Sequence, residues 1–273
     1  MKYGKNNQKV AQLACIHAFW GFFALWLFGW VVLAGFVPPP SPNKPIGELQ
    51  DWYTRDQHRI LAGMVVAGFS MFFLAAWGAG VASQVRRLAG RNGTLLWGWN
   101  IAMGALVSYF MFSLIFWAVA VYRPENAQQL QSMHDAGWFS FLVDVPSVTF
   151  QAWLIGYLVL TDRREQPIFP RWFGYLQILD GFGITGAAFC YYFKSGPFAW
   201  NGVIGFWCTV VFGFSWMLTT TVMVARAIKA APDENELDDT NSLDDRIAAL
   251  EAEVARLRGG DLESVAPRSA LLT

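Results

Sequence analysis

Six long, mostly apolar runs punctuate the chain, near residues 12–37, 59–82, 94–121, 137–160, 172–193 and 199–225. A bilayer core requires about 20 consecutive apolar residues in helical form, and each run is long enough. The pattern predicts an all-α polytopic membrane protein whose residues 1–230 form a domain of six transmembrane helices. The polar stretches between runs leave no room for a soluble domain. The first run exceeds the ~7–15 apolar residues of a signal peptide and lacks a small-x-small site before Pro38-Pro39-Pro40, so it is expected to be retained as a helix. Beyond the sixth run the pattern changes. Residues 231–241 form an acidic linker with Asp233, Glu234, Glu236, Asp238 and Asp239, and then Leu243, Ile247, Leu250, Val254 and Leu257 recur at 4-3-4-3 spacing. That spacing predicts a coiled-coil helix over 242–258, opened by Ser242 and Asp245 as a variant capping box and closed by Gly259-Gly260. Residues 259–273 read as a disordered tail.

Leu at d with Ile or Val at a favours parallel two-stranded pairing. Arg246 would face Glu251 of a neighbouring helix, and Glu253 would face Arg258, so both g-to-e pairs are opposite in sign. A homo-oligomer assembled through the membrane domain and this seam is therefore expected. Two and a half heptads are few, and a single amphipathic helix lying on its own protein is the alternative.

Composition agrees with a membrane body: 55% of the 273 residues are hydrophobic and only 15% charged, against about 25% charged in soluble domains. The formal charge of zero conceals a split. Residues 1–232 carry 16 basic and 9 acidic side chains, whereas 233–273 carry 4 and 11. This balance excludes a nucleic-acid binder and leaves the lipid bilayer as the first partner. Cytoplasmic flanks are enriched in Lys and Arg, and the flanks alternate. Lys2, Lys5, Lys9, Arg86, Arg87, Arg91, Arg163, Arg164, Arg171, Arg226 and Lys229 fall on one side, Lys44, Arg55, Arg59, Arg123 and Lys194 on the other. Both termini are thus expected in the cytoplasm, with Trp52, Tyr53, Tyr122, Trp138, Trp172 and Trp200 as interfacial anchors.

Polar groups inside spans are candidates for function because hydrocarbon does not solvate them. Asp144, Ser147 and Gln151 share a face of the fourth span, Asn100, Gly104 and Ser108 one of the third, and Gln177, Asp180 and Thr185 one of the fifth. With His17 on the first span, these residues are expected to point inward and to line a solute or proton path, with Asp144 and Asp180 as its ionisable groups. Packing between helices through single hydrogen bonds is the competing role for the amides and hydroxyls. Outside the spans, His58 and His134 lie close in sequence to Asp51, Asp56 and Asp135; this set, chiefly His58, His134 and Asp135, could bind a transition metal. Its spacing matches no metal motif. There is no phosphate-binding glycine loop, GxSxG or CxxC, and Cys15, Cys190 and Cys208 all lie within spans. No particular cofactor is indicated.

Two segments carry a resemblance: Pro167-Ile168-Phe169-Pro170-Arg171-Trp172-Phe173-Gly174-Tyr175 and Phe193-Lys194-Ser195-Gly196-Pro197-Phe198-Ala199-Trp200-Asn201-Gly202. With Arg86-Arg87 and Tyr122-Arg123-Pro124-Glu125, they resemble a family of bacterial six-span integral membrane proteins to which no activity is attached. The resemblance implies a bacterial inner-membrane location and nothing chemical. The first segment reads as a loop leading into the fifth span and the second as a tight turn between spans five and six, with Lys194 snorkelling and Trp200 anchoring. Together the residues favour a non-enzymatic protein that binds or passes a small or lipophilic solute or ion through a helix bundle. A membrane enzyme or redox accessory using the outer His and Asp groups, and a scaffold recruiting partners through its acidic tail, are the alternatives.

Overall fold

The computed structural model describes residues 6–90, 93–231, 250 and 254. Among them every regular element is helical: α1 (Asn6–Trp26), running into a π-helical turn (Leu27–Leu33), α2 (Ile46–Arg55), α3 (Gln57–Ala89), α4 (Gly93–Tyr122), α5 (Ala127–Leu142), α6 (Val145–Thr161), α7 (Arg171–Ile184), a 3₁₀ segment (Thr185–Tyr191), a second π-helical turn (Val203–Cys208) and α8 (Thr209–Ala230). Five stretches are long and apolar enough to cross a membrane: Gln8–Leu33, Gln57–Ala89, Gly93–Tyr122, Ala127–Thr161 and Val203–Ala230. They match five of the six runs in the sequence. The remaining run, 172–193, divides between α7 and the 3₁₀ segment. At the junction the Thr185 hydroxyl donates to the Phe182 carbonyl at 2.6 Å, and the helix tightens beyond it.

The compact body spans Lys9–Lys229. A second unit takes in the two chain ends, and within it Leu250 and Val254 are helical and exposed. Leu243, Ile247 and Leu257, the rest of the expected seam, lie outside the described residues, as do most of the acidic linker and the tail.

Within the body, small residues let helices approach at backbone distance, the usual means of packing where apolar burial alone does not drive association. α3 runs antiparallel to α1 and the π-helical turn that follows it, and the backbones approach closely at both ends of this contact. A Cβ on Gly63 would come within 2.4 Å of the Gly29 carbonyl oxygen, and one on Gly80 within 2.8 Å of the Ile16 nitrogen. α6 and α7 meet similarly, with Gly156 against the Gly174 carbonyl and Ile178. Trp153 donates to the Ile178 carbonyl and Thr149 to that of Gly181. The first π-helical turn ends at Gly35, whose φ of +68° suits a residue without Cβ.

The Arg-rich ends of three elements gather at one end of the body. Arg164 donates to the Arg87 carbonyl at 2.6 Å, and Arg87 donates to Gln84 and to the Ala227 carbonyl. At the opposite end the loops are tied by Trp200 Nε1 to the Pro40 carbonyl, Asn43 to the Lys194 carbonyl and Gln50 to the Glu125 carbonyl. The segment around Gly196 is more than a tight turn. Gly196 has φ +80°, and the chain folds back so that the Ile204 and Gly205 amides donate to the Pro197 carbonyl. Trp200 is buried there, and so are Tyr53 and Trp138, whereas Tyr122 and Trp172 are exposed. Three of the six expected interfacial anchors therefore belong to the core.

Replacing Gly63 by Ala should lower the stability of the detergent-solubilised protein by about 1–3 kcal/mol, the range for overpacking a tight contact. Gly47→Ala, where an added Cβ meets nothing within 4 Å, should leave it unchanged. Thermal unfolding followed by circular dichroism distinguishes the two.

Candidate functional site

The fourth apolar run is not one helix. α5 ends at Leu142 and α6 begins at Val145, so the chain breaks at Val143-Asp144. Pro146 accounts for the break, because it has no N–H to offer the Leu142 carbonyl and its ring would collide with that turn. The Val143 amide closes α5 on the Phe139 carbonyl at 3.0 Å, and α6 opens with the Val148 amide on the Asp144 carbonyl at 3.4 Å. Asp144 therefore occupies the N-cap of α6 instead of the face of a continuous span, and its side chain caps no backbone amide. One carboxylate oxygen, Oδ1, accepts the Ser147 hydroxyl. The other, Oδ2, is buried and has no partner.

Asp144 lines a cavity of about 310 Å³. Its wall is built by the two π-helical turns and by α1, α3, α4, α5, α6, α7 and α8, and nine aromatic side chains contribute to it. Both π turns place a ring there: Trp30 from the first and Phe206 from the second, 6.3 Å apart between centroids. Phe141 stands 4.8 Å from Trp30 and 5.4 Å from Phe110. A π turn carries an extra residue per turn, redirecting side chains from the α-helical register, and such turns concentrate at functional sites. The indole N–H groups of Trp30 and Trp216, two further lining residues, are buried and unpartnered. The residues that line this largely apolar chamber thus include three with a buried polar atom that the protein leaves unmatched, the Asp144 carboxylate and the two indoles. The partly exposed lining residues include Leu27 and Val31 beside α1, and Val210 and Phe214 on α8. There α1 and α8 meet through the Phe23–Phe214 ring pair, 5.2 Å between centroids.

The other expected path residues are distributed differently. Gln151, Gln177 and Asp180 are fully buried but do not line the cavity, so the chamber that Asp144 lines does not reach Asp180. Gln177 donates to Thr220 at 3.3 Å and Gln151 to the Ser147 carbonyl at 3.2 Å. Ser215 interacts with Asp180, although neither carboxylate oxygen has a partner at hydrogen-bond geometry. His17, Asn100 and Ser108 are exposed on the outside of the body, contrary to the inward orientation expected of them. The buried face of α4 belongs to Trp99, Met103 and Leu106, and Ser108 satisfies itself by donating to the Gly104 carbonyl at 2.8 Å.

The outer histidines do not converge. His58 is exposed and His134 buried, and no group of three His, Cys, Asp or Glu among the described residues could hold a metal ion. His134 Nδ1 instead lies 2.6 Å from the Tyr53 hydroxyl. Burial, and secondarily the nearby Asp135, holds Tyr53 well above the usual tyrosine pKa of 10.0, so the phenol keeps its proton while sharing a hydrogen bond with the His134 ring. This pair sits among Phe36, Trp138 and Trp200 and is a structural tie under the loops that Trp200, Asn43 and Gln50 fasten.

Comparison of the chain with protein-family models, with curated proteins and with solved structures gives no match. The chemistry of the site is therefore read from its own geometry.

Tyr53→Phe should cost about 1–3 kcal/mol, because it leaves a buried ring nitrogen of His134 without its hydrogen-bond partner. It should also change the pH dependence. Above pH 10 the unfolded chain ionises Tyr53 before the folded one does, so the wild type loses stability as pH rises from there, and the contribution is complete below that pH. Unfolding midpoints between pH 8 and 11 should fall less steeply for the variant.

Proposed function

We propose that the protein is a six-span membrane protein that binds a lipophilic solute in the cavity beside Asp144. The observation that carries this reading is the chamber itself: its volume falls within the ~300–1,000 Å³ of small-molecule sites, and its apolar wall with few polar groups is typical of them. Solute binding, without an assigned reaction, is what such a wall supports. A sixth span is supported by length. Fourteen α-helical residues at ~1.5 Å and seven 3₁₀ residues at ~2.0 Å give about 35 Å, enough for a ~30 Å hydrocarbon core. With six spans both termini lie on one side, and the Lys and Arg asymmetry favours the cytoplasm. A bacterial inner-membrane location rests on the family resemblance.

Assembly into a homo-oligomer belongs to the same proposal. Leu250 and Val254, a d and an a position of the heptad pattern, are 63% and 48% exposed in the single chain, which leaves them free for a parallel partner. Replacing Ile247, Leu250 and Val254 together by Asp should reduce the mass of the detergent-solubilised assembly, measured by light scattering. An unchanged mass removes the coiled coil from the account.

Solute binding is tested with a neutral fluorescent probe, 1-(methoxymethyl)naphthalene, on protein in zwitterionic nanodiscs. Saturable binding is expected, and Val148→Trp, which fills the chamber from α6, should abolish it while the protein stays folded. Absence of saturable binding to the wild type contradicts the reading.

A further inference from the structure

We propose that the solute is a lipophilic amine in its cationic form, held with Asp144 as its counter-ion and aromatic ring faces around its charge. The inference rests on the solute-binding reading and deepens it. Asp144 is the one ionisable side chain among the residues that line the chamber. It is only 5% exposed, and among the described residues its carboxylate makes no ion pair with Lys, Arg or His.

Its two oxygens are unequal. Oδ1 is held by Ser147, whereas Oδ2 is buried without a partner in the protein. A carboxylate in an apolar enclosure is stabilised by a donor carrying positive charge, since charge-assisted hydrogen bonds are shorter and about twice as strong as neutral ones. An N–H of a protonated amine supplies both the charge and the donor. A neutral solute would leave the carboxylate desolvated and unmatched, and an anion would be repelled by it.

The rings argue for the same sign of charge. Trp30, Phe110, Phe141 and Phe206 line the same chamber as Asp144, and an aromatic face attracts a cation within about 6 Å of its centroid. The partly exposed rim at Leu27, Val31, Val210 and Phe214 is apolar, so a cation needs an apolar skeleton to pass it.

Three naphthalene probes of matched size test the assignment on the full chain in zwitterionic nanodiscs: N,N-dimethyl-1-naphthylmethylamine, protonated at neutral pH, the neutral 1-(methoxymethyl)naphthalene, and the anion 1-naphthylacetate. The amine should bind at least about tenfold more tightly than the ether, and the acetate should show no saturable binding. Asp144→Asn should bring the amine down to the affinity that the same variant shows for the ether. Equal binding of amine and ether to the wild type, or an amine preference that survives in Asp144→Asn, overturns the cation assignment while solute binding stands. If neither amine nor ether binds saturably, the solute-binding reading falls with it. Should Asp144→Asn not fold, the amine-to-ether ratio of the wild type alone decides.

Discussion

The missing N–H of one proline organises the centre of this protein. Pro146 lies where an unbroken helix would require a donor to the Leu142 carbonyl, and the chain answers by ending α5 and restarting α6 three residues later. The restart puts Asp144 at a helix junction, with one oxygen tied to Ser147 and the other turned loose in a buried place. On an uninterrupted helix the carboxylate would have been one polar position in a packed seam. At the break it becomes part of the wall of a chamber.

The chamber exists because the surrounding elements depart from regular α-helix at matching heights. The end of α1 widens into a π turn that carries Trp30, and α8 is preceded by another that carries Phe206. α1 is kept from drifting by its glycine contacts with α3. Above it, Tyr53 and His134, whose ring meets Trp138 and Trp200 edge-on, tie α2 to α5 beneath the loops at that end. Trp200 then fastens the turn before α8 to Pro40 in the loop that follows α1. The two elements that flank the partly exposed rim are thereby joined at one end by a hydrogen bond and alongside the rim by the Phe23–Phe214 pair, while the cavity between them stays open.

Much of this was legible in the sequence, and the parts that were not have a common cause. Apolar run length located five long helical stretches directly, and the alternation of Lys and Arg between flanks anticipated which ends gather together, as the Arg164–Arg87 contact shows. Periodicity places residues on a face without saying which face is buried. Asn100 and Ser108 share a face as expected, but that face is exposed, because Trp99, Met103 and Leu106 supply the larger apolar stripe that packs. Asp144 stands out in the sequence as a costly group in an apolar run. The partners that make it a site, Trp30, Phe206 and Trp216, were invisible as such. They are separated by up to 186 positions, and nothing in their local spacing distinguishes a lining ring from a core ring. π-helical turns likewise leave no periodic trace in so apolar a sequence. The buried Tyr53–His134 pair joins residues 81 apart and could be read only as two interfacial side chains.

The central claim is that the break at Pro146 delivers a carboxylate to an apolar chamber, and chemical labelling of the carboxyl groups reads this most directly. Dicyclohexylcarbodiimide, supplied from the lipid phase to the intact protein in nanodiscs, attacks carboxyl groups that an apolar reagent can reach, and peptide mass spectrometry locates the adduct. The account predicts that Asp144 is modified and that Asp180, fully buried and outside the chamber, is spared. Modification of Asp180 with Asp144 untouched would contradict it.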